Sequence, residues 1–344
     1  MLNIKENIPL KDFTTFQTGG NARYFAIVKN DEDLRQAFIF IKSRKLPFFV
    51  LGGGSNILMS DQGFNGLVIK NEIKGIKFID LPAQTNGEVD KVLVEIGAGE
   101  NLDELVNLSV IRNLFGLENL SGIPGTIGGA AVQNAGAYGM EIKDNLLIVH
   151  GINSDNGKKY EFNKADCLYN YRDSIFKRNK KYIIISVTLE LNKRAIVNLE
   201  YAGLKEILGG EKDISSQKIR ETILKIRSEK LPDWHKLGTA GSFFKNPIVK
   251  SEKYTELKMK YQNIPGFSGL GEKVKVPLAW ILDNVCDLKN YRENNVGLYD
   301  KQPIVIVNYG GATSKEIKNF SDKIKKIVKE KTGIEIEEEI EKIN

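Results

Sequence analysis

In the heptapeptide Gly241-Ser242-Phe243-Phe244-Lys245-Asn246-Pro247, one hydroxyl stands between a glycine and two phenylalanines, with a lysine and a carboxamide beyond. Two chemistries are open to Ser242. It is either a turn residue at the mouth of a strand, or an acid or nucleophile held in an apolar pocket. A second group with chemical potential is Arg172, in Tyr171-Arg172-Asp173-Ser174-Ile175-Phe176-Lys177. The apolar pair beside it implies partial burial, and a buried guanidinium needs an anion, with Asp173 or another acid as the first candidate. Lys230 closes a helical pattern, where a cation is favoured by the helix dipole. The run Ile334-Glu335-Ile336-Glu337-Glu338-Glu339-Ile340 alternates like a strand. Period two sets Ile334, Ile336 and Ile340 on one face, Glu335, Glu337 and Glu339 on the other, and leaves Glu338 as the acid on the apolar face. Such a run by itself reads as a solvated strand edge.

Two glycine-rich segments add a different chemistry. Gly52-Gly53-Gly54-Ser55-Asn56 follows an apolar run directly. Glycines there either make a tight turn or let successive backbone N–H groups approach a phosphate. The second segment, 121–140, carries Gly122, Ile123, Pro124, Gly125, Gly128, Gly129, Asn134, Gly136 and Gly139. It reads as a long loop of almost no bulk, suited to close packing against an extended ligand with two phosphates. Neither segment is a P-loop, and neither has the third glycine of a Rossmann fingerprint.

The elements that must position these groups follow from periodicity. Leu34, Ala37, Phe38 and Ile41 share a helical face over residues 31–45, with acids first and bases last. Strands are expected at Phe48–Leu51, 67–70, 92–99, 183–191 and 303–308. Asn101 can cap a helix bearing Leu102, Leu105, Val106 and Leu108, and Ser216 one bearing Ile219, Ile223 and Ile226 that runs to Lys230 and stops at Pro232. A helix is also expected near 277–285. Thr313 and Glu316 form a capping box for a helix with Ile317, Phe320, Ile324, Ile327 and Val328 on one face, ended by Gly333. Strands alternate with helices in the first half, and a boundary falls near residues 200–215.

Composition narrows the function classes. The 344 residues carry 50 basic and 44 acidic side chains, a formal charge of +6, which suits an anionic small substrate and is too balanced to argue for nucleic acid. Cys167 and Cys286 stand far apart, and there are two histidines, His150 and His235, so neither a disulfide framework nor a Cys- or His-based metal site is expected. No run approaches a membrane span and the amino terminus lacks a signal-type core, so a cytoplasmic protein is expected. No surface helix shows a dimer stripe, and a monomer is the expectation.

Six segments, taken together and in order, resemble one family: TTFQTGGNARYF at 14–25, GGGSNILMSDQGFNGLVI at 52–69, SGIPGTIGGAAVQNAGAYGMEI at 121–142, YRDSIFK at 171–177, KLPD at 230–233 and GSFFKNP at 241–247. The chain is similar to the UDP-N-acetylenolpyruvoylglucosamine reductases, the MurB family, over nearly its whole length. The resemblance implies an α+β protein: an FAD-binding region of the vanillyl-alcohol-oxidase (PCMH) type in two subdomains, 1–70 and 71–200, and a substrate-binding α+β domain, 201–344, whose carboxy-terminal segment returns to the active site. It implies noncovalent FAD along the two glycine-rich segments, with NADPH as co-substrate. The reaction implied is reduction of UDP-N-acetylglucosamine enolpyruvate to UDP-N-acetylmuramate, a peptidoglycan precursor.

By the same resemblance, Arg172 and Glu339 support an enolate-like species and Ser242 delivers a proton to C2. Tyr171, Tyr201, Lys230 and Asn246 match substrate-contacting positions. No metal is implied. One departure concerns the end of the chain, where the family has Pro-Glu-Val and this sequence has Glu338-Glu339-Ile340. Period two points to Glu338, and alignment to Glu339. Two other readings compete: a flavin oxidase on the same fold, and a nucleotide-binding scaffold without catalysis. Intact Arg172, Ser242 and Glu339 weigh against both.

Overall fold

The computed structural model describes residues 1–82, 90–195, 197–199, 201–211, 213–268 and 271–344. The chain forms two compact units, Met1–Ile8, Ala22–Gly53 and Asn65–Arg227 in one, Pro9–Asn21, Gly54–Phe64 and Ser228–Asn344 in the other. The first unit thus continues past the expected boundary, because the helix Ser216–Lys230 packs Ile219, Ile223 and Ile226 against Leu204 and Leu208.

In the first unit, the strands Ile4–Pro9, Asn21–Val28, Phe64–Asn71 and Phe48–Leu51 lie side by side in that order. The last two pair in parallel, Phe48 opposite Leu67 and Leu51 opposite Lys70. The helix Asp31–Arg44 buries Leu34, Ala37, Phe38 and Ile41 as its periodicity predicts. The Asn30 side chain accepts from the Asp33 N–H to start it, and Lys45 ends it in a left-handed conformation. A second, antiparallel sheet orders Lys159–Asn163, Leu146–Asn153, Tyr182–Asn192, Lys91–Gly97 and Ile76–Asp80. Its core includes Val94, Ile96, Val149, Val187 and Leu189 together with the helix Leu102–Ile111, which Asn101 caps as expected.

The glycine-rich segment 121–140 is not a structureless loop. Residues Ile127–Gln133 form a short helix whose N-cap is Thr126, its hydroxyl accepting from the Gly129 N–H, and Gly136–Ala137 pairs with Met140–Glu141. Glycine content hides this helix because Gly weakens propensity, while Ile127, Ala130 and Ala131 bury one face and hold it.

In the second unit, Gly238–Ser242, Gln302–Asn308, Val296–Tyr299 and Arg292–Glu293 form a sheet in that order. The helices Leu278–Asn284 and Ser314–Thr332 cover it with Leu278, Ile281, Ile317, Phe320 and Ile324. The Thr313–Glu316 capping box is fully formed, and Gly333 closes that helix at φ 71°. Asp61 adds a second cap, its carboxylate accepting from the backbone N–H groups of Ser314 and Lys315 at 2.8 and 3.1 Å. The segment 14–18 belongs here because Phe16 is fully buried in this core, and Thr15 Oγ1 donates to the Thr239 carbonyl at 2.6 Å.

Two local expectations shift. The helix expected to start from Ser216 is capped one residue earlier, the Ser215 hydroxyl accepting from the Lys218 N–H at 3.1 Å. Residues 334–340 keep period-two burial but make only an isolated bridge at Glu338; the strand proper is Glu341–Ile343, which pairs in parallel with Ile57–Met59.

Candidate active site

Ser242 sits just after a kink in its strand. Thr239 pairs with Val307 and Ser242 with Val305, three steps against two, so one extra residue is inserted as a β-bulge. Gly241 takes φ 71° at that point, a conformation most side chains avoid, and the bulge re-aims the residue that follows. Ser242 is half-buried, and Phe243 and Phe244 are fully buried. Phe243 packs edge-on against Phe16 and Phe244, so the phenylalanines anchor the serine to the core.

Glu339 lies alongside. Its N–H donates to the Phe243 carbonyl at 2.8 Å, Phe244 bridges antiparallel to Glu338, and the Lys245 N–H donates to the Glu337 carbonyl at 2.9 Å. Asn56 holds the same segment: its side chain donates to the Glu339 carbonyl at 3.3 Å, and its carbonyl accepts from the Glu341 N–H at 3.0 Å. The acid that period two singled out, Glu338, is committed elsewhere. Its carboxylate takes Lys325 and Lys342, the latter at 2.7 Å, and accepts from the Ser321 hydroxyl. Burial alone would raise its pKa, but hydrogen bonds and charges from both lysines outweigh it and hold the carboxyl below its ordinary range.

Asn246 spends its side-chain oxygen on the Leu278 N–H at 2.9 Å, fixing the start of the helix Leu278–Asn284. Lys230 is exposed at the end of the helix Ser216–Lys230.

In the first unit, Arg172 is framed by carbonyl groups. Its guanidinium donates to the carbonyls of Asn134 and Gly136, and Nη1 lies 3.6 Å from Glu141 Oε1. The neighbouring Asp173 pairs instead with Arg178 at 3.1 Å, so the anion for Arg172 comes from across the 136–141 hairpin, not from the next residue. Arg172 takes φ 54°, unusual outside glycine and asparagine, and Tyr171 presents its ring 5.2 Å from the guanidinium carbon. Ser174 and Lys177 tie this turn down, donating to the Val132 carbonyl and to Gln133 Oε1, both at 2.7 Å. Fully buried Asn134 also takes a left-handed conformation and donates to Glu141 and to the Asn170 carbonyl, both at 2.9 Å. Tyr201 is partly exposed and meets Tyr138 edge-on, ring centroids 4.9 Å apart. Glu200 of its segment lies outside the described residues.

The two glycine-rich segments come together. A Cβ on Gly52 would stand 2.7 Å from Thr126 Oγ1, and one on Gly53 would stand 2.5 Å from the Gly125 Cα. Gly54 is pressed against the Phe13 carbonyl, Gly128 against Ala98, and Gly136 against Met140 and Arg172. Gly122 and Gly125 need glycine for φ 73° and 121°. Gly129 differs: it is exposed, and an added Cβ would meet only Thr126 Oγ1, at an ordinary 3.5 Å. A helical glycine with room for a side chain costs stability without a packing reason, as expected where a ligand must reach the backbone. Lys70, which sequence reasoning missed, donates its Nζ to the Gly52 carbonyl, and burial lowers its pKa. Its partner is 18 residues away, and nothing local signals it. This bulk-free surface fits FAD.

Among the described residues no helix is long and apolar enough to cross a membrane, and no group of three or more His, Cys, Asp or Glu could hold a metal. Both cysteines are buried, their thiols pushed up by burial to about 12 for Cys167 and about 11 for Cys286.

A family model described as FAD binding domain matches residues 22–162, and one described as UDP-N-acetylenolpyruvoylglucosamine reductase, C-terminal domain, matches residues 233–343. The chain is 38% identical over 343 residues to the UDP-N-acetylenolpyruvoylglucosamine reductase of Amoebophilus asiaticus, covering 98% of this chain and 99% of that protein. It is 36% identical over 342 residues to the protein of the same name from Pseudomonas aeruginosa, covering 98% of each. Among solved structures, the UDP-N-acetylenolpyruvylglucosamine reductase (MurB) of Thermus caldophilus aligns over 100% of both chains with a TM-score of 0.69 at 23% identity, which bears on the fold.

Proposed function

The chain belongs to the UDP-N-acetylenolpyruvoylglucosamine reductase (MurB) family, and from that membership we propose that it reduces UDP-N-acetylglucosamine enolpyruvate to UDP-N-acetylmuramate, using noncovalent FAD and NADPH. In this reading it serves peptidoglycan precursor synthesis in the cytoplasm, as a monomer. Gly52, Gly53, Gly122, Ile123, Pro124, Gly125, Gly128 and Gly129 would hold FAD through their backbone, with Gly54, Ser55 and Asn56 continuing the first segment and Asn134 and Gly136 the second. Bound FAD, once reduced by NADPH, supplies a hydride to C3 of the enolpyruvyl group.

The residues of the chain handle the charge and the proton. Hydride addition at C3 leaves an electron pair on C2, delocalised into the adjacent carboxylate. Arg172 is a fixed cation suited to that charge, already held by Glu141 and two carbonyls so that little reorganisation is needed. Glu339 is assigned a share of that role. The Ser242 hydroxyl gives its proton to C2 and is reprotonated from solvent; a weak acid suffices because the acceptor is a carbanion equivalent and the donor is positioned. Tyr171, Tyr201, Lys230 and Asn246 would bind the nucleotide sugar.

The observation that carries this reading is the Phe243–Glu339 pairing, which sets the proposed proton donor and the proposed enolate partner on adjacent segments. The test is NADPH oxidation by the FAD-loaded protein. Oxidation that depends on the enolpyruvyl nucleotide sugar and yields UDP-N-acetylmuramate supports it, and oxidation indifferent to that substrate overturns it.

A further inference from the structure

The Gly122 turn, at the start of the second glycine-rich segment, is held by charged side chains that the reaction does not use. Asp103, in the first turn of the helix Leu102–Ile111, accepts the Gly122 N–H at 2.6 Å through Oδ1. The same carboxylate receives Arg220 in a two-pronged pair, Nη1 to Oδ1 at 2.6 Å and Nη2 to Oδ2 at 2.9 Å. Arg220 comes from the helix Ser216–Lys230, 117 residues away, and its side chain is 10% exposed. Two turns further along that helix, Arg227 lies against Gly122 so closely that a Cβ there would stand 2.9 Å from its Nε. Arg227 is also hydrogen-bonded to Tyr138, whose ring meets Tyr201.

We propose that Asp103 and Arg220 are positioning residues for cofactor binding, a charged latch through which the helix Ser216–Lys230 sets the backbone of the Gly122–Gly125 turn. The inference rests on the reading that FAD lies along this segment. Gly122 sits at φ 73° with its N–H consumed by Asp103, so the turn has one conformation while the latch is closed. Without Arg220, Asp103 remains a carboxylate but loses the fork that orients it; without Asp103, the Gly122 N–H and the Arg220 guanidinium both lose their partner. In either case the turn is no longer held ready, and FAD binding must supply the ordering.

The test titrates FAD into flavin-stripped protein, following flavin fluorescence well below the melting temperature. Asp103→Ala and Arg220→Met should each weaken FAD by about tenfold, and the double variant no further, because the pair acts as one unit. Arg220→Lys keeps the charge without the fork and should weaken FAD as well, which covers the case where Arg220→Met does not fold. Unchanged FAD affinity in these variants, whatever their melting temperature, or effects that multiply to about a hundredfold in the double variant, would overturn the inference. The parent protein separates the two layers: if it takes up no FAD, the cofactor reading itself fails; if it binds FAD and the latch variants bind it equally well, only the latch fails.

Discussion

The backbone N–H of Glu339 donates to the carbonyl of Phe243 at 2.8 Å, so the glutamate and the residue after Ser242 are locked in register. The acid one residue earlier, Glu338, bridges to Phe244 on the same segment and has its own partners. Glu338 faces Lys325 and Lys342 and belongs to the packing of the helix Ser314–Thr332, which leaves Glu339 beside the serine segment.

Ser242→Ala is expected to lower turnover by about 10²–10⁴-fold, the range for a positioned general acid. The fold should be unaffected, because Phe243 and Phe244 carry the packing. Single-turnover spectroscopy checks the step: flavin reduction by NADPH should keep its rate while reoxidation by the enolpyruvyl substrate slows.

Glu338→Gln and Glu339→Gln should part company. The first removes a nearly buried charge from two lysines and should cost roughly 1–3 kcal/mol of stability with turnover retained. The second should leave the melting temperature in place and reduce kcat. Paired melts and assays of both variants decide it, and the reverse pattern would reassign the acid.

The Glu338 pair also predicts a pH dependence. Its folded pKa lies below the unfolded value, so its stabilisation is complete above the unfolded pKa, about 4.3, and disappears as pH falls through the lowered folded value. The melting-temperature gap between the parent protein and Glu338→Gln should therefore be widest above about pH 5 and close in more acid solution.

Gly129→Ala should move two properties in opposite directions. An exposed helical alanine with room for its Cβ should stabilise the flavin-free protein by about 0.5–1 kcal/mol, and the same methyl group should weaken FAD. Melts without FAD and titrations with it measure the two signs.

Arg172→Lys keeps the charge but cannot serve Glu141 and the carbonyls of Asn134 and Gly136 at once. A kcat loss of about 10²–10³-fold is expected, with FAD still bound. Stopped-flow reoxidation of reduced enzyme checks it.

Local signals in the sequence suffice where one side-chain type dictates one geometry. The Asn101 cap, the Thr313–Glu316 box and the Gly333 stop all stand where spacing predicts. The helix Ile127–Gln133 was hidden because its stability comes from burial of Ile127, Ala130 and Ala131, not from propensity. Lys70, Asp61 and the Asp103–Arg220 pair were invisible because their partners lie 18 to 254 residues away. The pairing of Glu339 with Phe243 could not be reached by periodicity, which pointed to Glu338; it depends on how the segment after Gly333 returns to the bulged strand at Gly241.

The most direct test of the central claim is an anaerobic visible spectrum taken in two steps, NADPH first and UDP-N-acetylglucosamine enolpyruvate second. The account predicts that NADPH bleaches the FAD absorbance and that the nucleotide sugar restores it with formation of UDP-N-acetylmuramate. Bleaching that persists until air is admitted would contradict it and favour an oxidase; a protein that takes up no FAD at all would contradict it outright.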